Sequence, residues 1–151
     1  MTGVLLPRGR FDTSAVEQVE IAVAFVKEAI NEGDFAILDD FAHPDIRDLS
    51  DVRIFGDGIN GLRLSIVAAR RLMPDIYARI VAARRSGADT VETRLEFTGT
   101  YRGSNLAPTG RHGRQARWRQ HHLWSFRGVK ACAHLGWIDR AAVRAALGSP
   151  Y

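Results

Sequence analysis

The apolar positions of the chain change period twice. Val16, Val19, Val23, Val26 and Ile30 recur at helical spacing. Ser14-Ala15-Val16-Glu17 before them has the form of a capping box, with Ser14 as N-cap. Gly33 ends this helix, and Asp34 caps a short second one whose apolar stripe is Phe35, Leu38 and Phe41. Pro44 and the polar residues up to Asp51 predict a loop, and Gly56, Gly58 and Gly61 punctuate another. A third helix is predicted over 60–73, with Leu62, Ile66, Val67 and Met73 apolar, and Pro74 stops it.

After Pro74 the period drops to two. Ile76, Ala78 and Ile80 alternate with polar or larger residues, and Ser86 to Asp89 reads as a turn. Val91, Thr93, Leu95 and Phe97 alternate with Glu92, Arg94 and Glu96, the pattern of a half-buried strand. A loop containing Gly and Pro is predicted over 103–113, then strands over 115–126 and 130–138, then a closing helix over 139–147. Three helices, a strand meander and a short helix predict one α+β domain over 1–151, with 1–13 as an extension. The helices should pack on one face of a curved antiparallel sheet.

Composition narrows this little. Of 151 residues, 46% are hydrophobic and 25% charged, ordinary values for a globular domain with a real core. No run of 18 apolar residues is present, so no membrane span or membrane partner is expected. The segment from Met1 to Arg10 lacks the plan of a signal peptide, which makes the cytoplasm the expected location. Cys132 is the single cysteine, which excludes an intrachain disulfide and a zinc-cysteine cluster. The net charge is +4, with Arg111, Arg114, Arg117 and Arg119 close together. No nucleic-acid motif accompanies them; they read as a solvated loop and strand edge, and no nucleic-acid partner is expected. Gly56-x-Gly58-x-x-Gly61 copies a dinucleotide fingerprint only superficially, since neither a preceding apolar strand nor a βαβ unit frames it.

The candidate chemistry lies in the last two strands. Asp139 ends an apolar strand beside aromatic residues, where burial would raise a carboxyl pKa towards the range of proton transfer. It also stands directly before a helix, where it would serve as N-cap and be held ionised by amide hydrogen bonds. If Gly128-Val129 is a two-residue turn, Arg127 faces Lys130, and an unbroken ladder sets Trp124 opposite Ala133, His122 opposite Leu135, Gln120 opposite Trp137 and Trp118 opposite Asp139. Trp118, Gln120, His122, Trp124, Trp137 and Asp139 would then share one face, with His121 and His134 on the other. His122 is the second candidate, as proton carrier or oxyanion partner. Arg94 and Glu96 share a strand face and are candidates for orienting a carbonyl; Tyr77 and Tyr101 are candidate hydroxyl donors. His121 and His122 are adjacent on a strand and point apart, so they cannot chelate one ion, and no metal site is expected.

Specific residues also resemble a known family. Ile30-Asn31-Glu32-Gly33-Asp34 with Leu38 and Phe41, Ala42-His43-Pro44-Asp45, and Gly61 before Met73-Pro74-Asp75 resemble the SnoaL-like polyketide cyclases. So do Phe97-Thr98-Gly99-Thr100 with Gly103, Pro108-Thr109-Gly110-Arg111 and His134-x-Gly136-x-x-Asp139. The resemblance spans about 16–148 and implies the cone of the nuclear-transport-factor-two-like fold. It implies cofactor-independent ring closure of a bulky, mostly apolar polyketide by aldol chemistry, in a homo-oligomer. Asp139 would be the base and then the acid, His122 and Arg94 would stabilise oxyanion charge, and Trp118, Gln120, Trp124, Trp137, Glu96 and Tyr77 would surround the substrate. Two departures stand out: many relatives carry a His near Leu49 or Ser50, and the last strand often has a Trp where Leu135 stands. Arg94-Leu95-Glu96 also resembles the Arg-x-Asp strand of limonene-epoxide-hydrolase-like proteins of the same fold, which implies epoxide opening as an alternative. A non-catalytic binding or accessory role is the other.

Overall fold

A computed structural model describes residues 13–50, 55–102 and 113–147. Helix α1 (Thr13–Ala24) runs without interruption into a widened π-type stretch (Phe25–Glu32). Short α2 (Ile37–Phe41) follows, then strand β1 (Ala42–Asp48) and helix α3 (Gly58–Leu72). Strands β2 (Tyr77–Gly87), β3 (Thr90–Thr100), β4 (Gln115–Arg127) and β5 (Lys130–Ile138) form the meander, and α4 (Arg140–Leu147) closes the described chain. The sheet order is β1-β5-β4-β3-β2. The fold is α+β, with a curved, unclosed sheet, as the change of period after Pro74 predicts.

Two expectations need correction. The segment after Phe41 is a strand, not a loop, and it pairs in parallel with β5, so the sheet is mixed rather than wholly antiparallel. As an edge strand it can carry Pro44, and Ala42 and Ile46 suffice as its buried residues. The buried stripe of the first helix keeps Val26 and Ile30 of the expected series, with Val19 packed against the core, but Val16 is 59% exposed and Gln18, Ala22, Phe25 and Ala29 are buried. The helix already includes Thr13, which puts Ser14 within its first turn instead of at the cap.

The core lies between the helices and one sheet face, here called inner. Phe25 stacks on Phe41 with ring centroids 4.4 Å apart, and both meet the edge of Trp124 at 5.3 and 4.9 Å. Burying each such ring contributes roughly 1.5–3 kcal/mol. Side chains also extend the sheet. Asn31 donates from Nδ2 to the Ala78 carbonyl (3.0 Å) and accepts the Ala78 N–H at Oδ1 (2.7 Å), so it pairs with the outer edge of β2. Asp75 accepts both the N–H and the hydroxyl of Thr100, each at 2.7 Å. Those bonds hold its carboxyl below the usual range, so two of the family-like motifs brace one another.

Candidate functional site

The register of the β4–β5 hairpin decides which groups meet. The turn is the predicted one, and Arg127 faces Lys130. Two pairs later the ladder slips: Phe126 faces Ala131 but Ser125 faces Ala133, leaving Cys132 as the extra residue of a bulge. Beyond it every partner on β5 is displaced by one. Trp124 faces His134, His122 faces Gly136, and Gln120 faces Ile138. His134 therefore joins His122 on the inner face. Trp137, paired with His121, lies on the outer face and is 59% exposed. The expected sharing of a face is corrected for both residues.

The result is a row of polar groups set in the apolar wall. His122 Nδ1 lies 2.6 Å from His134 Nε2, and His122 Nε2 lies 2.8 Å from Gln120 Oε1. Behind His134, Asp48 Oδ1 stands 3.5 Å from Nδ1. Buried Trp124 backs both rings: its centroid is 4.2 Å from that of His134 and 5.7 Å from that of His122. Its indole N–H donates to Thr93 Oγ1 at 3.2 Å, so it supports the histidines from the core side. Burial pushes His122 well below the ordinary histidine value, and charge repulsion from His134 and His121 adds to this. Burial also lowers His134, against the opposing pull of Asp48. A neutral imidazole that shares a short hydrogen bond with another is a base held ready for one proton.

The end of β1 fixes this arrangement. Leu49 N–H donates to the His134 carbonyl at 2.7 Å, Ser50 Oγ accepts the Gly136 N–H at 2.8 Å, and Asp48 Oδ1 accepts the Ser50 N–H at 3.0 Å. Asp57, the residue before α3, accepts the Asp48 N–H at 2.7 Å. Gly136 leaves the room that the rings need. A Cβ there would lie 2.9 Å from His134 Cε1 and 3.2 Å from His122 Nδ1. Asp48, Ser50, His134 and Gly136 are members of the cluster that sequence reasoning missed. The signals for them in the sequence were the His134-x-Gly136 motif and the departure from the family-like pattern near Leu49 and Ser50.

The other expected site residues lie elsewhere. Asp139 caps α4, its Oδ1 accepting the Ala142 N–H at 3.1 Å, while its own N–H donates to the Arg119 carbonyl at 3.0 Å. With Glu96, Arg117, Trp118, Arg119 and Ala142 it lines a cleft of about 270 Å³. Trp118 is buried and stacks on Phe97 at 5.3 Å. Arg94 is on the outer face, across the sheet from His122, and donates to buried Glu92 at 2.5 Å. That bond, followed by those of Arg84, keeps the Glu92 carboxyl low despite burial. His121 Nε2 also approaches Glu92, at 3.0 Å. Glu96 lies 3.4 Å from Arg79 and 3.7 Å from Arg117 on the same outer face. Tyr77 is 54% exposed there. Arg94, Glu96, Tyr77 and Trp137 are thus not assembled with His122, which corrects the single site expected. The loop with Pro108-Thr109-Gly110-Arg111 lies outside the described residues.

A curved sheet closed on one face by helices, with a polar row on that face, defines the nuclear-transport-factor-two-like class. The profile of the SnoaL-like polyketide cyclases matches residues 20–147, and the chain belongs to that family. The fold is shared with a candidate polyketide cyclase from Bacillus cereus, at 20% identity and TM-score 0.75, over 89% of this chain and 82% of that one. TsrD from Streptomyces laurentii is 24% identical with TM-score 0.72, over 90% of this chain and 96% of its own. AclR from Streptomyces galilaeus, a candidate hydroxylase, is 20% identical with TM-score 0.73, over 89% and 97%. No curated protein sequence matches the chain. Among the described residues no helix is long and apolar enough to cross a membrane.

Proposed function

We propose that this protein is a cofactor-independent acid–base enzyme of the cyclase type, acting on a small, mostly apolar carbonyl substrate. The proton is handled by His122 and His134, with Asp48 behind them. The observation that carries the reading is the 2.6 Å contact between the two imidazoles, both of which stack on buried Trp124. His122 takes a proton from the carbon next to a substrate carbonyl, and the electron pair stays on the substrate as an enolate. The proton that His122 held at Nδ1 passes to His134 Nε2, and the positive charge comes to rest beside Asp48. The enolate then attacks a second carbonyl of the same molecule, and the dyad returns the proton to the new alkoxide. The apolar wall holds the substrate folded and keeps water out, which is where proximity contributes most.

Asp139 is the alternative base. Its cleft groups two carboxylates with two arginines, an arrangement that also suits the opening of an epoxide. One comparison separates the two sites. Aromatic polyketide esters and epoxides are offered to wild type, His122→Gln and Asp139→Asn without added metal or cofactor. Loss of general-base help costs about a hundredfold or more. That loss in His122→Gln, with Asp139→Asn near wild type, is the expected result. The reverse pattern moves the chemistry to Asp139.

A further inference from the structure

The row Asp48–His134–His122–Gln120 has a proton count that its geometry makes explicit. Three contacts each need one N–H: His134 Nδ1 towards the Asp48 carboxylate, one proton between His134 Nε2 and His122 Nδ1, and His122 Nε2 towards Gln120 Oε1. Two neutral imidazoles carry two N–H groups between them. With the Gln120 oxygen turned to His122, as the structure has it, the row is satisfied only when one extra proton is present. With neutral histidines the same row is satisfied if the Gln120 amide turns over. Its NH2 then donates to His122 Nε2, His122 Nδ1–H donates to His134, and His134 Nδ1–H donates to Asp48. Leaving a polar contact of this row unmet is costly, so the amide must follow the proton.

We propose that Gln120 is a specificity-determining residue of this site, whose amide turns with the protonation of the histidine pair. It offers the substrate a carbonyl acceptor when the pair is neutral and an NH2 donor when the pair holds a proton. This rests on the dyad being the proton-handling group. Gln120 is half-buried, and Ile138, its partner across the strand, is 43% exposed, so this end of the row is within reach of a ligand. The chemistry follows in one movement. The C–H bond of the substrate breaks, the N–H bond at His122 Nε2 forms, and Gln120 Oε1 accepts that new N–H. The same rotation aims the amide NH2 at the oxygen that has just become anionic. The ligand recognised by the loaded state is therefore an enolate or phenolate oxygen. Among the described residues, the charged and titratable groups around the pair are Asp48 from β1, Asp57 next to it, and His121 on the far face of β4.

The test needs no substrate, so its outcome is separate from that of the activity comparison. Long-range 1H–15N spectra of the imidazoles are recorded against pH for wild type and Gln120→Glu. In wild type His122 should change from the Nδ1–H to the Nε2–H tautomer as pH falls, without itself becoming charged, while His134 becomes the imidazolium. An ionised glutamate at 120 can accept but never donate, so it should hold the Nε2–H tautomer to higher pH, moving the midpoint up by about 1–3 units, as an opposite charge at contact does. A His122 that keeps one tautomer across the titration, or that takes the charge itself, overturns the proposal. So does an unchanged midpoint in Gln120→Glu.

Discussion

Replacing Gly136 by alanine tests the packing that brings the histidines together. The backbone itself does not resist the change, since Gly136 is not among the glycines with positive φ. By limiting the unfolded chain, Gly→Ala at a compatible site stabilises by about 0.4–1 kcal/mol. Against this, the new Cβ would sit 2.9 and 3.0 Å from His134 Cε1 and Nε2, and 3.2 Å from His122 Nδ1. These are ring atoms. His134 is wedged against Trp124, so neither ring gives way as a flexible chain end would. Overpacking of this kind costs about 1–3 kcal/mol. The difference leaves a net loss of between about 0 and 2.6 kcal/mol, a fall in Tm of up to roughly 10 °C for a chain of this size. Thermal unfolding by circular dichroism reads the stability, and the histidine 15N spectrum reads the hydrogen bond. An alanine variant more stable than wild type, with the two imidazoles still coupled, would refute the argument.

Further outcomes follow from the same contacts. Asp139→Ala should lose about 1 kcal/mol through the lost cap on Ala142, while Asp139→Asn should keep most of it; urea unfolding of the two variants checks this. Because His122 and His134 are both lowered in the folded state, the unfolded chain binds protons first as pH falls. Their contribution to stability should be complete above about pH 6.5, the unfolded value, and diminish below it towards the lowered native values. Urea unfolding at pH 7.5 and pH 5.5 should give a lower stability at pH 5.5. Glu92 and Asp75 lie below ordinary carboxylate values and lose their contribution only at more acid pH, so the window belongs to the histidines. We expect a homodimer through the outer sheet face, where Trp137 and Leu135 are 59% and 46% exposed. Sedimentation showing a single species of 16.7 kDa at micromolar concentration would count against it.

The sequence made the architecture legible wherever a period was strong. The third helix, the four meander strands, the two-residue turn and the closing helix all follow from spacing and stop residues. Strand β1 escaped because an edge strand needs few apolar residues and tolerates Pro44. The site was legible only in part. His122 and Gln120 follow from the turn, but the faces of His134 and Trp137 depend on the bulge at Cys132. Ala131, Cys132 and Ala133 are all small, and such residues suit either face of a sheet equally. Nothing in their alternation marks where an extra residue sits, and a one-residue slip exchanges every side chain beyond it. Asp48 escaped for a similar reason, since its partner lies 86 residues away, on a strand paired in parallel.

Small molecules should meet the His122–His134 pair rather than the cleft at Asp139. The most direct measurement is a titration of the protein with an aromatic polyketide ester, followed in the imidazole 15N spectrum and in the side-chain amide resonance of Gln120. Shifts are expected at His122, His134 and Gln120, with the Asp139 carboxyl carbon unchanged. Shifts confined to Asp139 and the arginines of its cleft, with both histidines silent, would contradict it.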